Sequence, residues 1–337
     1  MAKRIGKRTI ILDNKPYIIG YGSVVGKKEF EGPIGHEFDA HDDDSRFGEE
    51  SYEKAESLLQ KIALETAMRK ANVNENDIKM IFAGDLLNQC IGSYFGLREK
   101  GIPLIGLYGA CSTMTLGLSL ASIMVDSGAA DIAAAVTSSH FCSAERQYRF
   151  PLEYGAVRPQ TAQWTVTGSG ATILSGKKQE GKPYIDAVCF GEITDLDITD
   201  TNNMGAAMAP SAASTIKHFL EDTGTTLHDY DLVITGDLGK VGTDLLYELL
   251  ESDGIDIRCR HSDCGLLIFD RETQDVHAGG SGCGCSAAVL NSFVMHRFES
   301  GDFKNILFMS TGALMSPTSS LQGETIPGIS HLVNIKI

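Results

Sequence analysis

The chain is short of positive charge. Twenty-nine lysines and arginines stand against 44 aspartates and glutamates, a formal net charge of −15 over 337 residues. That balance argues against nucleic acid as a partner, because the chain would repel phosphates rather than release their counterions. It argues equally against membrane attachment through a basic patch. Long apolar runs are missing. Nothing approaches the ~20 residues of a membrane span, and the longest candidate, 129–136, is broken by Asp131 and reads as a buried strand. The opening residues, MAKRIGKRTIILDNK, are basic but hold no apolar core of signal-peptide length. These absences predict a protein made and kept in the cytosol. Paired zinc ligands are missing too. None of the eight cysteines forms a C-x-x-C, and Cys283 and Cys285 are too close together for a zinc knuckle. In a large cytosolic chain these cysteines are expected to be reduced. The acidic loop of Asp42, Asp43 and Asp44, with His36 and His41 nearby, lacks the glycine and terminal glutamate of an EF-hand and reads as a solvated loop. No metal site is expected.

What is present is an ordinary globular balance, 42% hydrophobic and 22% charged, with 36 glycines for tight turns and close backbone contacts. Helical and strand patterns alternate. The first half reads as strands over 9–12, 79–83, 103–107 and 132–136, with helices over 49–71 and 112–126. The second half reads as strands over 184–189, 232–235 and 306–310, with helices over 211–221, 243–250 and 286–299. Such alternation predicts an α/β fold with a mainly parallel sheet covered by helices on both faces. The halves also match in detail. Cys111-Ser112 opens a helix closed at Ser127-Gly128, and Cys285-Ser286 opens one closed at Ser300-Gly301. A strand ending in Gly84-Asp85-Leu86 matches one ending in Gly236-Asp237-Leu238. Two matches in the same order predict a duplicated βαβ unit, with halves 1–178 and 179–337.

The sharpest chemical feature is the run Tyr108-Gly109-Ala110-Cys111-Ser112-Thr113-Met114. A buried strand ends, small residues turn, and a cysteine sits at the mouth of a helix. Free N–H groups and the helix dipole there lower a thiol pKa and favour a thiolate, or bind a carboxylate. The plainer alternative is a small buried cysteine at a helix–strand junction.

A duplicated chain with Gly-Ala-Cys-Ser opening its central helix resembles the thiolase superfamily, most closely its ketoacyl-ACP synthase III branch. The segment 165–174, with Gly168 and Gly170, is similar to the strand that closes that fold's first half. The resemblance implies a five-layer αβαβα fold with two pseudo-symmetric halves and an acyl-accepting cysteine. It also implies a histidine and an asparagine from the second half, and Gly236 and Gly284 stand at those places here. Base and oxyanion donor are then missing, and the glycines are expected to open room for a ligand. The segments 38–55, 109–114, 138–150 and 199–210 go further and resemble the stage V sporulation protein AD family over essentially the whole chain. That resemblance implies a non-catalytic protein that binds dipicolinic acid and its calcium chelate, without a cofactor. It implies membrane proteins of the same sporulation operon as partners, a homodimer, and a place in the forespore, cytosolic or against its inner membrane.

A planar dianion in so acidic a protein needs a local positive pocket. The helix mouth at Cys111 is one candidate. His140, following the strand 132–136, is another, unless it is an exposed loop histidine. Asp85 and Asp237 end the matching strands and either take a chelated calcium or cap the following helices. Cys90 and Cys285 either line the cavity or belong to the core. Arg146, Arg149 and Arg158 add charge without being assigned as sites. Trp164, the only tryptophan, either stacks on the ligand or packs in the core. The competing reading is an acyl-thioester-dependent acyltransferase using Cys111, with His140 or His277 as its base.

Overall fold

The computed structural model describes residues 2–148 and 157–337. Ten of its strands form two five-stranded arrays of identical order. The first runs Tyr17–Gly26, Gly168–Ser175, Ile132–Ser139, Met80–Gly84, Leu104–Gly106. The second runs Tyr184–Cys189, Gly328–Lys336, Asn305–Ala313, Leu232–Thr235, His261–Asp263. In both, the first two junctions are antiparallel and the last two parallel. The expected mainly parallel sheet is therefore corrected to a mixed one. Alternating helices and strands report only the βα units. The strand that closes each half enters between the first and fourth strands, antiparallel to both, and leaves no such signal. The arrays meet through the single pair Tyr17 and Tyr184.

Helices make the other layers. Tyr52–Ala71 covers the outer face of the first array, and Met204–Thr223 with Gly239–Ser252 that of the second. Between the arrays lie Thr113–Asp126, which touches strands of both, and a helical run from Cys283 to Ser300. Each gap between layers holds its own apolar core, with Leu118 in the central one, Leu59 in the first outer one and Phe219 in the second.

Local chemistry explains the outer helix. Ser51 is extended and its hydroxyl accepts from Lys54 N at 3.3 Å, so the helix starts at Tyr52 rather than at residue 49. Asn72 ends it in the left-handed conformation, φ +54°. Its inner face is small, because the helix lies almost on the strand Tyr17–Gly26. A Cβ on Gly20 would sit 2.4 Å from the Ala67 carbonyl oxygen, and one on Gly22 2.4 Å from that of Ala63. The inner helical run is broken by a π turn over Leu290–Val294, where Asn291 donates to the Ala287 carbonyl and accepts from the Thr172 hydroxyl.

One hairpin crosses the molecule. Lys3–Ile5 pairs with Thr9–Ile11, and the latter pairs with Ala187, Val188 and Cys189 of the second array. The Asp222 carboxylate fastens it, accepting from the backbone of Lys7, Arg8 and Thr9 at 2.8–3.0 Å.

Candidate functional site

The strand Leu104–Gly106 leads into a tight turn that carries Cys111. Ala110 is left-handed, φ +48°. Ser112 Oγ donates to the Gly109 carbonyl and Thr113 Oγ1 to that of Ala110, each at 2.6 Å. The backbone amides of Ser112 and Thr113 close onto the same two carbonyls. The helix mouth therefore spends its first donors within its own turn. From the second half, the strand Asn305–Ala313 presses Gly312 against this turn, where a Cβ would lie 2.6 Å from the Gly109 oxygen.

Cys111 is only 5% exposed, and its thiol donates to the carboxylate of Asp237. Asp237 also accepts from Thr311 Oγ1 at 2.7 Å, Gly282 N at 2.9 Å and Ser281 Oγ at 3.4 Å. Burial pushes its carboxyl up to about 7, against the pull of these hydrogen bonds. Burial first, and the Asp237 charge second, hold the Cys111 thiol well above its ordinary value. This corrects the expectation of a thiolate. Desolvation beside a carboxylate outweighs a helix terminus whose donors are already used. The expected facing of Cys111 and the second-half Gly-Asp-Leu turn holds, and the side chain that faces the thiol is Asp237.

Cys111 opens on a cavity of about 40 Å³, lined also by Leu86, Tyr108, Glu145, Tyr148 and Met315. No lysine, arginine or histidine is among its described lining residues. Tyr108 Oη and Tyr148 Oη lie 2.5 Å apart. Tyr148 gives its own proton to the Leu86 carbonyl, so Tyr108 donates to Tyr148. Their phenols close one side of the cavity.

The remaining predicted residues lie elsewhere. His140 is buried, accepts from Cys142 N through Nδ1 and donates from Nε2 to the Ser45 carbonyl. Both nitrogens are used, burial lowers its pKa, and it lines a separate cleft beside Lys28. Asp85 caps its turn, accepting from Leu87 N, Ser93 N and Ser93 Oγ at 2.9, 2.8 and 2.6 Å. The second-half mirror of that cap is Asp263, which holds Leu238 N and Gly239 N, and this leaves Asp237 for the thiol. Cys90 donates to the Leu107 carbonyl and Cys285 to that of Gly236. Neither is among the described lining residues of the Cys111 cavity. The glycines open no room. A Cβ on Gly284 would meet the Gly168 oxygen at 2.4 Å, and one on Gly236 the Ser310 Cα at 3.0 Å. Arg158 lies near Trp164, Arg146 pairs with Glu53, and Arg149 falls outside the described residues. Trp164 is half-buried and stacks on Phe141 with centroids 3.8 Å apart. His277 points to Asp275, not to Cys111.

Sequence reasoning missed Glu56. It is fully buried, accepts from Ser138 and Ser143, and faces Asp85. Burial, then the Asp85 charge, raises its carboxyl. The signal was available, since Glu56 lies in the same helical row as Leu59, Gln60 and Ala63.

The chain matches the family described as Stage V sporulation protein AD over residues 6–336. It is 43% identical over 329 residues to Stage V sporulation protein AD of Bacillus subtilis (strain 168), a match covering 98% of this chain and 96% of that one. Among solved structures, 3-oxoacyl-(acyl-carrier-protein) synthase III from Aquifex aeolicus VF5 aligns with a TM-score of 0.59 at 15% identity, over 96% of this chain and 100% of that one. Cerulenin-bound OleA from Xanthomonas campestris aligns with a TM-score of 0.61 at 14% identity, over 97% of this chain and 100% of that one. At such identities the likeness concerns the fold, which is the thiolase-like five-layer arrangement.

Proposed function

The chain belongs to the stage V sporulation protein AD family, and from that premise we propose that it binds dipicolinate without turning it over and helps to load it into the developing spore. The observation that carries this reading is the pairing of Cys111 with Asp237. Acyl transfer from a thioester needs a thiolate, a proton shuttle and donors for an oxyanion. Here burial and the Asp237 carboxyl keep the thiol neutral, and the Gly282 amide, which also reaches the thiol, is shared with that carboxyl. The resemblance puts Gly236 and Gly284 where acyl-transferring members of the superfamily carry histidine and asparagine. The acyltransferase alternative predicts a burst of coenzyme A on mixing with an acyl thioester, lost in Cys111→Ala. On the present reading no burst occurs in either protein.

Charge selects the form of the ligand. Glu145 is the one carboxyl among the described lining residues and no described cation is among them, so the cavity repels a bare dianion. It accepts the calcium chelate, whose metal takes carboxylate oxygens. The cavity must also widen. A dry pocket of about 150 Å³ holds benzene, and about 40 Å³ is present here. Parting Tyr108 from Tyr148 is the step that admits a ring. Calorimetric titration with dipicolinate, with and without calcium, is the test. Binding that requires calcium and weakens in Cys111→Phe, which fills the cavity, is expected, and a flat titration under both conditions sinks the proposal.

The same reading includes a homodimer. Leu104–Gly106 ends the first array, and exposed apolar side chains gather around it: Ile91, Tyr94, Phe95, Ile105 and Tyr108. An unpaired edge with such a patch is what a second copy covers. Membrane proteins of the same operon are the proposed partners, at the forespore face of the inner membrane. No described helix is long and apolar enough to cross a membrane.

A further inference from the structure

Two connecting stretches of the second half meet on one surface. Residues 190–203 join the strand Tyr184–Cys189 to the helix Met204–Thr223, and residues 314–327 join Asn305–Ala313 to Gly328–Lys336. Thr194 and Gly328 exchange backbone hydrogen bonds at 2.9 and 2.7 Å, and Ile326 N donates to the Ile198 carbonyl at 2.7 Å. Thr325 Oγ1 donates to the Asp195 carboxylate. Large apolar side chains stand out of these stretches: Ile193 is 62% exposed, Leu196 60% and Leu321 89%. Their charge is of one sign. Glu192, Asp195, Asp197, Asp200 and Glu324 are exposed, and neither 183–216 nor 305–335 contains a lysine or an arginine. Arg8 reaches the margin of the surface from the crossing hairpin and pairs with Glu192. The surface borders the Cys111 cavity, because Met204, which follows the first stretch, and Met315, within the second, both line that cavity.

Clustered apolar side chains left in water mark a surface that another molecule covers. The surrounding acids decide the sign of that cover. A second copy docked through this face would bring the same carboxylates against one another, and an anionic lipid surface would be repelled. We propose that the two stretches form a docking surface for a basic amphipathic helix of another protein. Its apolar stripe sits on Ile193, Leu196 and Leu321, and its lysines or arginines face Asp197, Asp200 and Glu324. Apolar anchors rimmed by acids, with methionines at hand to adapt their packing, suit such a helix. Seated there, it lies beside the mouth of the Cys111 cavity. The inference needs no ligand in that cavity and stands apart from dipicolinate binding.

The probe is a fluorescein-labelled peptide of leucine and lysine, roughly 18 residues or five helical turns long, with its leucines along one face. The full chain is titrated into it without dipicolinate or calcium, and binding is followed by anisotropy. Saturable binding that weakens with rising salt is expected. Affinity falls about tenfold in an Ile193→Ser, Leu196→Ser double variant, and severalfold in Asp197→Asn with Glu324→Gln. Removing two charges outside the surface, with Asp43→Asn and Glu272→Gln, leaves it unchanged. No saturable binding overturns the proposal, as does wild-type affinity in the Ile193→Ser, Leu196→Ser variant. An equal loss from both pairs of charge changes means attraction to net charge alone and also overturns it. If the Ile193→Ser, Leu196→Ser variant has a lower mass by light scattering than the wild type, a second copy covers the patch and the proposal falls. All these positions are exposed, so the melting temperatures of the variants should match that of the wild type. A flat calorimetric titration with dipicolinate leaves every one of these outcomes standing.

Discussion

Cys111 shows how a residue can keep its place while its chemistry is reversed. Its turn at the head of the central helix was legible in the sequence. Its protonation was not, because that depends on Asp237, which lies 126 positions further along the chain. The sequence put Gly236 opposite the thiol. The fold instead turns Thr235 outward to Asp263 and His261 and brings the next carboxyl inward. Two outcomes follow. Because the Asp237 charge raises the Cys111 thiol, Asp237→Asn lowers it, and alkylation of the Cys111 peptide, followed by mass spectrometry at mildly alkaline pH, speeds up. The linkage has a definite sign. Burial pushes the folded carboxyl up to about 7 from its ordinary 3.8, so the native state holds the proton more tightly. The stability this contributes is present at low pH and is lost as pH climbs from 3.8 towards 7. Denaturant midpoints across that interval should fall less steeply in Asp237→Asn than in the wild type. Parallel curves would show that Asp237 is ionised in the folded protein throughout.

At the level of elements, the long amphipathic helices and the short buried strands of the βα units were readable from periodicity. The first and last strands of each half were not all readable, for a physical reason. Tyr17–Gly26 is buried on both faces, so it lacks alternation, and its glycines look like turns. Those glycines are there because Tyr52–Ala71 lies on top of them. Gly22→Val is therefore expected to destabilise the protein by about 1–3 kcal/mol through overpacking, whereas Ser51→Ala, which only removes the cap, costs about 1 kcal/mol. Thermal melts of the two variants order them. The same helix hides Glu56 and Gln60 on its inner face. Periodicity puts Ala55, Leu58, Leu59, Ile62, Ala63 and Thr66 on one face, and of these Ala55, Leu59 and Ala63 are buried while Leu58, Ile62 and Thr66 are half-buried.

Across the whole molecule the duplication seen in two short sequence matches extends to strand order, strand direction and the three apolar cores. The symmetry fails where function is expected. One Gly-Asp-Leu turn caps a helix while the other holds a thiol. One outer edge, Leu104–Gly106, is ringed by apolar side chains, while its counterpart, His261–Asp263, follows Arg258 and Arg260. Phe95, 53% exposed, belongs to the apolar edge. Phe95→Asp should leave the melting temperature of the fold almost unchanged and halve the mass found by light scattering. A wild-type protein that scatters as a single chain would remove the dimer. The crossing hairpin sets an order of events during synthesis. Lys3–Ile11 emerges before its partners, since its sheet partner begins at Tyr184 and its anchor is Asp222. The hairpin must therefore wait, without its sheet partner, until Asp222 has left the ribosome, and its docking is a late step in locking the two arrays into one body.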